Sequence, residues 1–429
     1  MRALVERLNN NSTFERLIGW TKLVGTVGIF QLLIQGLSFA CGIFVIRLLP
    51  TQEYALYTLA NTTLGAMAIL ADGGIAAGVM AQGGQVWQDR EQFGKVLSTG
   101  LDLRKKFAAI SLLVFLPVLF YLLHYHGASW ITAALIAVSI IPAFFTALSG
   151  TLFSIAPKLA QHILPLQKVE LGANIGRLAL LALSIFAFPL AFVAILAAGL
   201  PQFWANFRLK NIARVFADDK QKPDVEIRSQ IFAMVKRLLP ESIYYCISGQ
   251  LTIWIISVLG STAAVAQVGA LGRVSIIFVL ISTITAALIV PRFARLPNDS
   301  TTLLKRYLQI QLGLITAYAG VVGMCWLFSS QILLVLGDKY TGLSRELILL
   351  LIGSTISAMS GNSFYLSNNR GWVINPVIPI VVSIASICAG VYFLKIASLE
   401  GVLIFNIVIA IPQFIVHFSY AIIRAKGVK

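Results

Sequence analysis

The sequence predicts an all-α polytopic membrane protein with about 12 transmembrane helices, in two six-helix bundles related by an internal repeat. Three observations predict this fold: composition, the spacing of apolar runs and the placement of charge. Of the 429 residues, 58% are hydrophobic and 12% are charged, and the mean hydropathy is +0.85. The charged share is about half that of an ordinary soluble domain. A soluble chain of this length cannot hide so much apolar surface in its core. Composition therefore excludes a soluble enzyme, a disordered chain and a nucleic-acid-binding domain, and makes lipid the main solvent.

A helix needs roughly 20 apolar residues to cross about 30 Å of hydrocarbon. Twelve segments supply them, at 23–46, 55–81, 107–126, 129–155, 171–188, 190–209, 238–259, 262–290, 307–328, 343–366, 373–394 and 400–423. Residues 1–22 are polar and include Asn9, Asn10 and Asn11. The run after them is too long for a signal-peptide core, so it is expected to persist as the first membrane helix. Pro50-Thr51 separates the first two segments, and Phe188-Pro189 separates the fifth from the sixth. The longest polar stretch, 208–237, divides the chain into halves: a six-helix bundle over 1–215, a linker over 216–237 and a second bundle over 238–429. The cysteines Cys41, Cys246, Cys325 and Cys388 are scattered in apolar runs without CxxC spacing, which reads as small buried hydrophobes. No metal site and no cofactor is implied.

Charge placement orients the helices. With the N-terminus inside the cell, the tails and inner loops hold 27 of the 33 basic residues, including Arg104, Lys105 and Lys106, the cluster from Arg208 to Arg237, and Arg370. The outer connections hold four: Arg47, Lys339, Arg345 and Lys395. Arg177 and Arg273 lie within spans. This asymmetry follows the positive-inside rule and places both termini in the cytoplasm. It also accounts for the net charge of +16 without nucleic acid or another acidic partner. The outer connections are too short to fold as a catalytic domain.

The halves resemble each other at a shift of about 210 residues. Pro201-Gln202-Phe203 with Phe207 matches Pro412-Gln413-Phe414 with Phe418, a shift of 211. Both halves start on the same side, so the repeat is expected to be parallel. Duplicated halves around a midplane site are a transporter feature.

Ionised side chains within spans are costly and mark candidate function. Arg177 and Arg273 can cradle a phosphate bidentately, and Arg47 stands at the outer end of the first span as an exit-path contact or a headgroup anchor. Asp72 and Glu241 are candidates for charge balance or ion coupling; internal ion pairing and snorkelling are the alternatives. Glu53 and Tyr54 follow Pro50 and read as a solvated turn. Asn61, Asn174, Asn362, Asn375 and Asn406 read as interhelical glue or as sugar contacts. Tyr244, Tyr245 and Trp254 can pack in the core or stack on sugar rings. His124 and His126 form a poor metal signal. Walker and HExxH motifs are absent from the sequence, so the chain is not expected to be an enzyme.

Arg47-Leu48-Leu49-Pro50-Thr51-Gln52-Glu53-Tyr54-Ala55-Leu56-Tyr57 resembles the opening of bacterial polysaccharide flippases. Leu70-Ala71-Asp72-Gly73-Gly74 resembles that family's second-helix pattern, and Leu336-Gly337-Asp338-Lys339-Tyr340 its Gly-x-x-Tyr between helices nine and ten. These are the O-antigen (Wzx-type) members of the multidrug/oligosaccharidyl-lipid/polysaccharide exporter superfamily. The resemblance implies twelve helices around a central cavity. It also implies a flippase that moves undecaprenyl-diphosphate-linked oligosaccharide units from the cytoplasmic to the periplasmic leaflet of the bacterial inner membrane, in lipopolysaccharide and polysaccharide biosynthesis. Its partners would be the lipid-linked oligosaccharide, membrane lipids and the polysaccharide polymerase and chain-length proteins, with H+ or Na+ open as coupling ion. Similar lipid II flippases usually carry two further C-terminal helices, against twelve expected here. The alternative is a cation-coupled exporter of small amphipathic compounds, although such exporters tend to place a carboxylate in helix one and none stands between Lys22 and Arg47. A membrane polymerase or ligase is a third reading.

Overall fold

The structure is a computed structural model, and it describes residues 12–160, 162–259, 261–285, 289–290, 293, 296, 299–370, 372, 374–394 and 398–427. Among the described residues, each predicted segment falls mainly on helix. In chain order these are α1 (Ser12–Leu48), α2 (Thr51–Asp72), α3 (Ile75–Val86), α4 (Arg90–Tyr125), α5 (Trp130–Phe153), α6 (Ile155–Leu159), α7 (Ile163–Ala187) and α8 (Ala191–Phe216). The second half adds α9 (Val225–Leu259), α10 (Thr262–Leu271), α11 (Ile276–Ile284), α12 (Ser300–Leu327), α13 (Ser329–Leu336), α14 (Ser344–Asn369), α15 (Val377–Phe393) and α16 (Leu399–Lys426). Among the described residues, nine helical stretches are long and apolar enough to cross a membrane, and α15 is a shorter apolar helix. The predicted spans at 190–209 and 238–259 coincide with α8 and α9. Both Pro-Gln-Phe triplets fall inside helices, in α8 and in α16.

Two boundaries differ from the sequence expectation. The predicted span 55–81 is broken: α2 stops at Asp72, because Gly73 and Gly74 take positive φ values of 48° and 94°. That left-handed backbone suits glycine. A Cβ on Gly74 would also sit 2.8 Å from the Cβ of Leu238. The predicted span 107–126 starts much earlier, at Arg90. Phe93, Val96, Leu97 and Leu103 continue its apolar face, and the resulting 36-residue helix is about 54 Å long, well beyond the hydrocarbon thickness.

Contacts gather the described chain into two units. The first holds 12–44, 67–115 and 135–242. Its core joins Ile75 and Val79 of α3 to Phe93, Val96 and Leu97 of α4, Leu152 of α5 and Ile231 and Val235 of α9. Small residues permit the approach: a Cβ on Gly78 would lie 2.9 Å from Ile231, and one on Gly100 2.4 Å from Val79.

The second unit holds 45–66, 116–134 and 243–427, so the start of α2 and the α4–α5 connection pack with the second half of the chain. Gln52 donates to the backbone oxygen of His126. The buried His126 ring meets Thr262 Oγ1 through Nδ1 at 2.9 Å, and the backbone oxygen of Ser257 through Nε2 at 2.8 Å. Lys339 Nζ donates to Leu49 O at 3.1 Å. Within the later helices α14 packs along α16, and Gly390 of α15 leaves room for the ring of Phe405.

Candidate transport cavity

An open cavity of about 850 Å³ lies in the second unit. Its wall starts on α2, where Thr58, Asn61 and Thr62 follow helical spacing and share one face. α14 adds Ser354, Ser357 and Tyr365, and α16 adds Asn406. The remaining polar wall comes from the predicted eighth span, which is not one continuous α-helix. Gly272–Ser275 form a 3-10 turn between α10 and α11, and Arg273 lies in that turn. A tighter turn inside a span re-aims its side chains and marks a hinge position. Gly269, one turn earlier, lets α10 approach α2 closely: a Cβ there would lie 2.5 Å from Thr58 Oγ1.

Among the described residues lining the cavity, Arg273 is the one charged side chain. Its guanidinium stands beside the hydroxyls of Tyr54 and Tyr57. Those rings stack with centroids 6.1 Å apart and an interplanar angle of 22°. The Tyr54 hydroxyl is fully buried and outside hydrogen-bonding geometry with any described group. Hydroxyls and amides thus line the wall, and one guanidinium supplies a positive charge with no carboxylate on the wall to neutralise it. Such a surface hydrogen-bonds polar groups and attracts anions. A polar chain also leaves the cavity: Ser282 Oγ lies 3.1 Å from the Tyr318 hydroxyl, to which Asn362 donates at 2.8 Å.

The other sequence candidates stand elsewhere. Arg177 sits on α7 in the first unit, half-buried, with its Nε buried and unbonded among the described residues. Arg47 is exposed and donates to the backbone oxygens of Val335 at 2.9 Å and Leu334 at 2.5 Å, capping the C-terminal end of α13. Asp72 pairs with Arg104, a residue that the charge count placed in an inner loop. Arg104 is buried and also donates to Leu148 O and Thr151 Oγ1, both at 2.5 Å. Glu241 falls on α9, and its side chain lies outside the described residues, as does that of Tyr245. Tyr54 corrects the expectation of a solvated turn. Pro50 is followed at once by α2, and Tyr54 is 1% exposed. Sequence reasoning also passed over the hydroxyl face of α2, although Thr58, Asn61 and Thr62 at i, i+3 and i+4 could have signalled it.

No family model matches the chain, and no curated protein matches it in sequence. Solved structures do. An inward-facing multidrug resistance MATE family transporter of the MOP superfamily aligns with a TM-score of 0.73 at 15% identity, over 94% of this chain and 98% of that one. The fold is that of a MATE transporter. An outward-facing multidrug resistance MATE transporter aligns with a TM-score of 0.64 at 15% identity, over 94% of each chain. A MOP superfamily transporter from Pyrococcus furiosus, reported with a binding pocket of reverse polarity, aligns with a TM-score of 0.63 at 15% identity, over 94% of this chain and 96% of that one. At this identity the likeness is one of fold.

Proposed function

We propose that the chain is a secondary transporter that exports small amphipathic compounds, neutral or anionic, by alternating access. The observation that carries this reading is the hydroxyl- and amide-lined cavity on a MATE fold, with Arg273 as its charge. Its volume of about 850 Å³ falls within the usual range of about 300–1,000 Å³ for small-molecule sites. Arg273 contacts the polar head of the cargo, and the apolar part of the cargo lies against Ile253, Val268 and Phe278. Arg177 is a second candidate contact for an anionic head, Arg47 a contact near the outer exit, and Asp72 and Glu241 candidates for charge balance. H+ or Na+ is the coupling ion. The excess of basic residues in the inner loops supports both termini facing the cytoplasm, and the flippase-like motifs support a bacterial inner membrane as the location.

The second reading is the lipid-linked oligosaccharide flippase, with the polysaccharide polymerase and chain-length proteins as partners. It draws support from the Arg47–Tyr57 resemblance and from a wall suited to sugar hydroxyls and a diphosphate. In that case the lipid tail stays in the bilayer, since moving it through water costs about 0.8 kcal/mol per CH₂.

Export of a panel of anionic, neutral and cationic fluorescent amphiphiles, measured in cells with and without the protein, tests the first reading. Loss of probe accumulation on expression is expected for the anionic or neutral members. Unchanged accumulation of every probe, together with lipid-linked units trapped on the cytoplasmic leaflet of a deletion strain, would replace it with the second.

A further inference from the structure

Within the interior of a described span there is one imidazole, that of His417 on α16. The other three histidines stand at helix ends, His124 in the last turn of α4, His126 just after it and His162 just before α7. His417 is half-buried. It lies eleven residues beyond Asn406, three helical turns along the same face, with Ala410 and Gln413 between them. Asn406 lines the cavity.

Two contacts fix the packing register of this face. The Asn406 Cβ lies 3.8 Å from where a Cβ on Gly353 of α14 would be. Eleven residues further along both helices, the His417 ring meets Phe364 edge-on, with centroids 5.5 Å apart and an interplanar angle of 71°. Gly353 and Tyr365 both line the cavity, and Tyr365 directly follows Phe364 in the chain. His417 therefore stands level with the end of the cavity wall that lies toward the C-termini of α14 and α16.

We propose that His417 is a proton-binding site of the transport cavity. The inference rests on that cavity being the transport site. An imidazole of ordinary pKa near 6.5 changes charge within the physiological range. A cation at this depth is tolerated where water or a partner stabilises it. Carboxylates on α16 and the helices packed against it are Glu400 and Glu346, near the N-terminal ends of α16 and α14, with Glu400 paired with Arg345 at 2.7 Å, and Asp299, which caps α12 by accepting from Thr302 N beside the C-terminal end of α16. Glu400 is about 25 Å from His417 along the helix. The titratable and charged groups nearer the ring's level are Tyr365 on α14 with Arg370 at its C-terminal end, Lys305, Arg306 and Tyr307 on α12, and Tyr420 and Arg424 on α16 itself. Of these, Tyr307 packs on Phe418, and Arg424 bonds Tyr420. α10 carries no titratable side chain, and α15 carries Cys388 and Tyr392 in its C-terminal half.

With no carboxylate beside it, the imidazolium has the Phe364 ring as its neighbour among the described residues and requires water to be stable. Protonation therefore favours the hydrated cavity, and it adds a second positive charge to the one Arg273 supplies. By linkage, an anionic cargo raises the proton affinity of the ring, and acid raises the affinity for the anion.

The test needs no cargo. In nanodiscs, the protein carrying 15N-histidine is titrated by NMR, and the His417 signal is assigned by its loss in His417→Gln and His417→Asn. In parallel, hydrogen exchange of α14 and α16 is followed between about pH 5 and 8, corrected for the intrinsic rate. The expected result is a ring that titrates in this window, with exchange of both helices that changes with the same midpoint. That change disappears in either variant and persists in His162→Gln. A ring that stays neutral across the window, or pH-dependent exchange that survives both variants, overturns the proposal. Should neither variant fold, the four wild-type rings are titrated and the His124, His126 and His162 signals are assigned by their loss in the corresponding Gln variants, so that the remaining signal is His417; a remaining ring that stays neutral overturns the proposal. Failure of every export probe while the ring still titrates would count against the transport reading and leave the proton site standing.

Discussion

Arg273 shows how a single residue gains its role from distant chain. In sequence it is a lone arginine in an apolar run. In the fold, a 3-10 turn aims it at two phenols brought from α2, more than two hundred residues away. That convergence was illegible, because nothing around Arg273 in the chain indicates Tyr54 or Tyr57. The arginine itself was legible, since an ionisable group within a span requires a reason. Replacing Arg273 by Ala should lower export of an anionic probe about tenfold or more, the scale of one charge-assisted hydrogen bond. Arg273→Lys should recover only part, because ammonium lacks the planar fork. Equal export by all three proteins would remove Arg273 from the cargo path. His417 was missed for a different reason: it is embedded in the run Ile415-Val416-His417-Phe418, which reads as uniformly apolar packing.

At the scale of elements, the end of α2 shows what hydropathy alone cannot see. Gly73 and Gly74 are apolar enough to extend a membrane span, yet their positive φ ends the helix at Asp72 and lets α3 turn into the core of the first unit. Gly74→Ala should destabilise the protein by about 1–3 kcal/mol from backbone strain alone, with the Leu238 clash adding to it. The turn also sets Asp72 against Arg104. Asp72→Asn should cost about 2–3 kcal/mol, toward the low end for a broken buried pair because Asp72 is a third exposed. Thermal melting in detergent checks both, and wild-type midpoints would show that neither feature supports the fold.

A second element carries a pH dependence. Burial pushes the His126 ring below its ordinary pKa, and the backbone oxygen of Ser257 opposes this in part. The native state therefore favours the neutral ring. The contribution is complete above about pH 6.5, the unfolded value, and is lost as the pH falls through and below it. Hydrogen exchange of residues 120–134 should rise on acidification beyond its intrinsic trend in the wild type, but not in His126→Gln. An identical pH response in both proteins would contradict this assignment.

For the whole molecule, most of the architecture was written in the sequence. Lipid solvation demands apolar helices of membrane length, and the basic loops punctuate them, so each of the twelve predicted segments falls mainly on helix among the described residues. The repeat was visible in the two Pro-Gln-Phe triplets, because proline inside a helix of a duplicated half leaves a recognisable mark. The packing units were less legible. Residues 45–66 and 116–134 belong to the first half of the sequence but pack with the second. Such grouping depends on contacts like those of His126 with Ser257 and Thr262, which join separated parts of the chain. The polar character of the cavity was also only partly legible, since serine and threonine hardly disturb a hydropathy profile while deciding what a cavity binds.

The central claim is that a hydroxyl-lined cavity with Arg273 as its charge is the route of an anionic or neutral amphiphile. The most direct measurement is efflux from proteoliposomes of two fluorescent amphiphiles matched in size, one anionic and one cationic, with wild-type protein and with Arg273→Ala. Preferential transport of the anionic probe that collapses in the variant is the predicted result. Preferential transport of the cationic probe, at a rate the substitution leaves untouched, would contradict it.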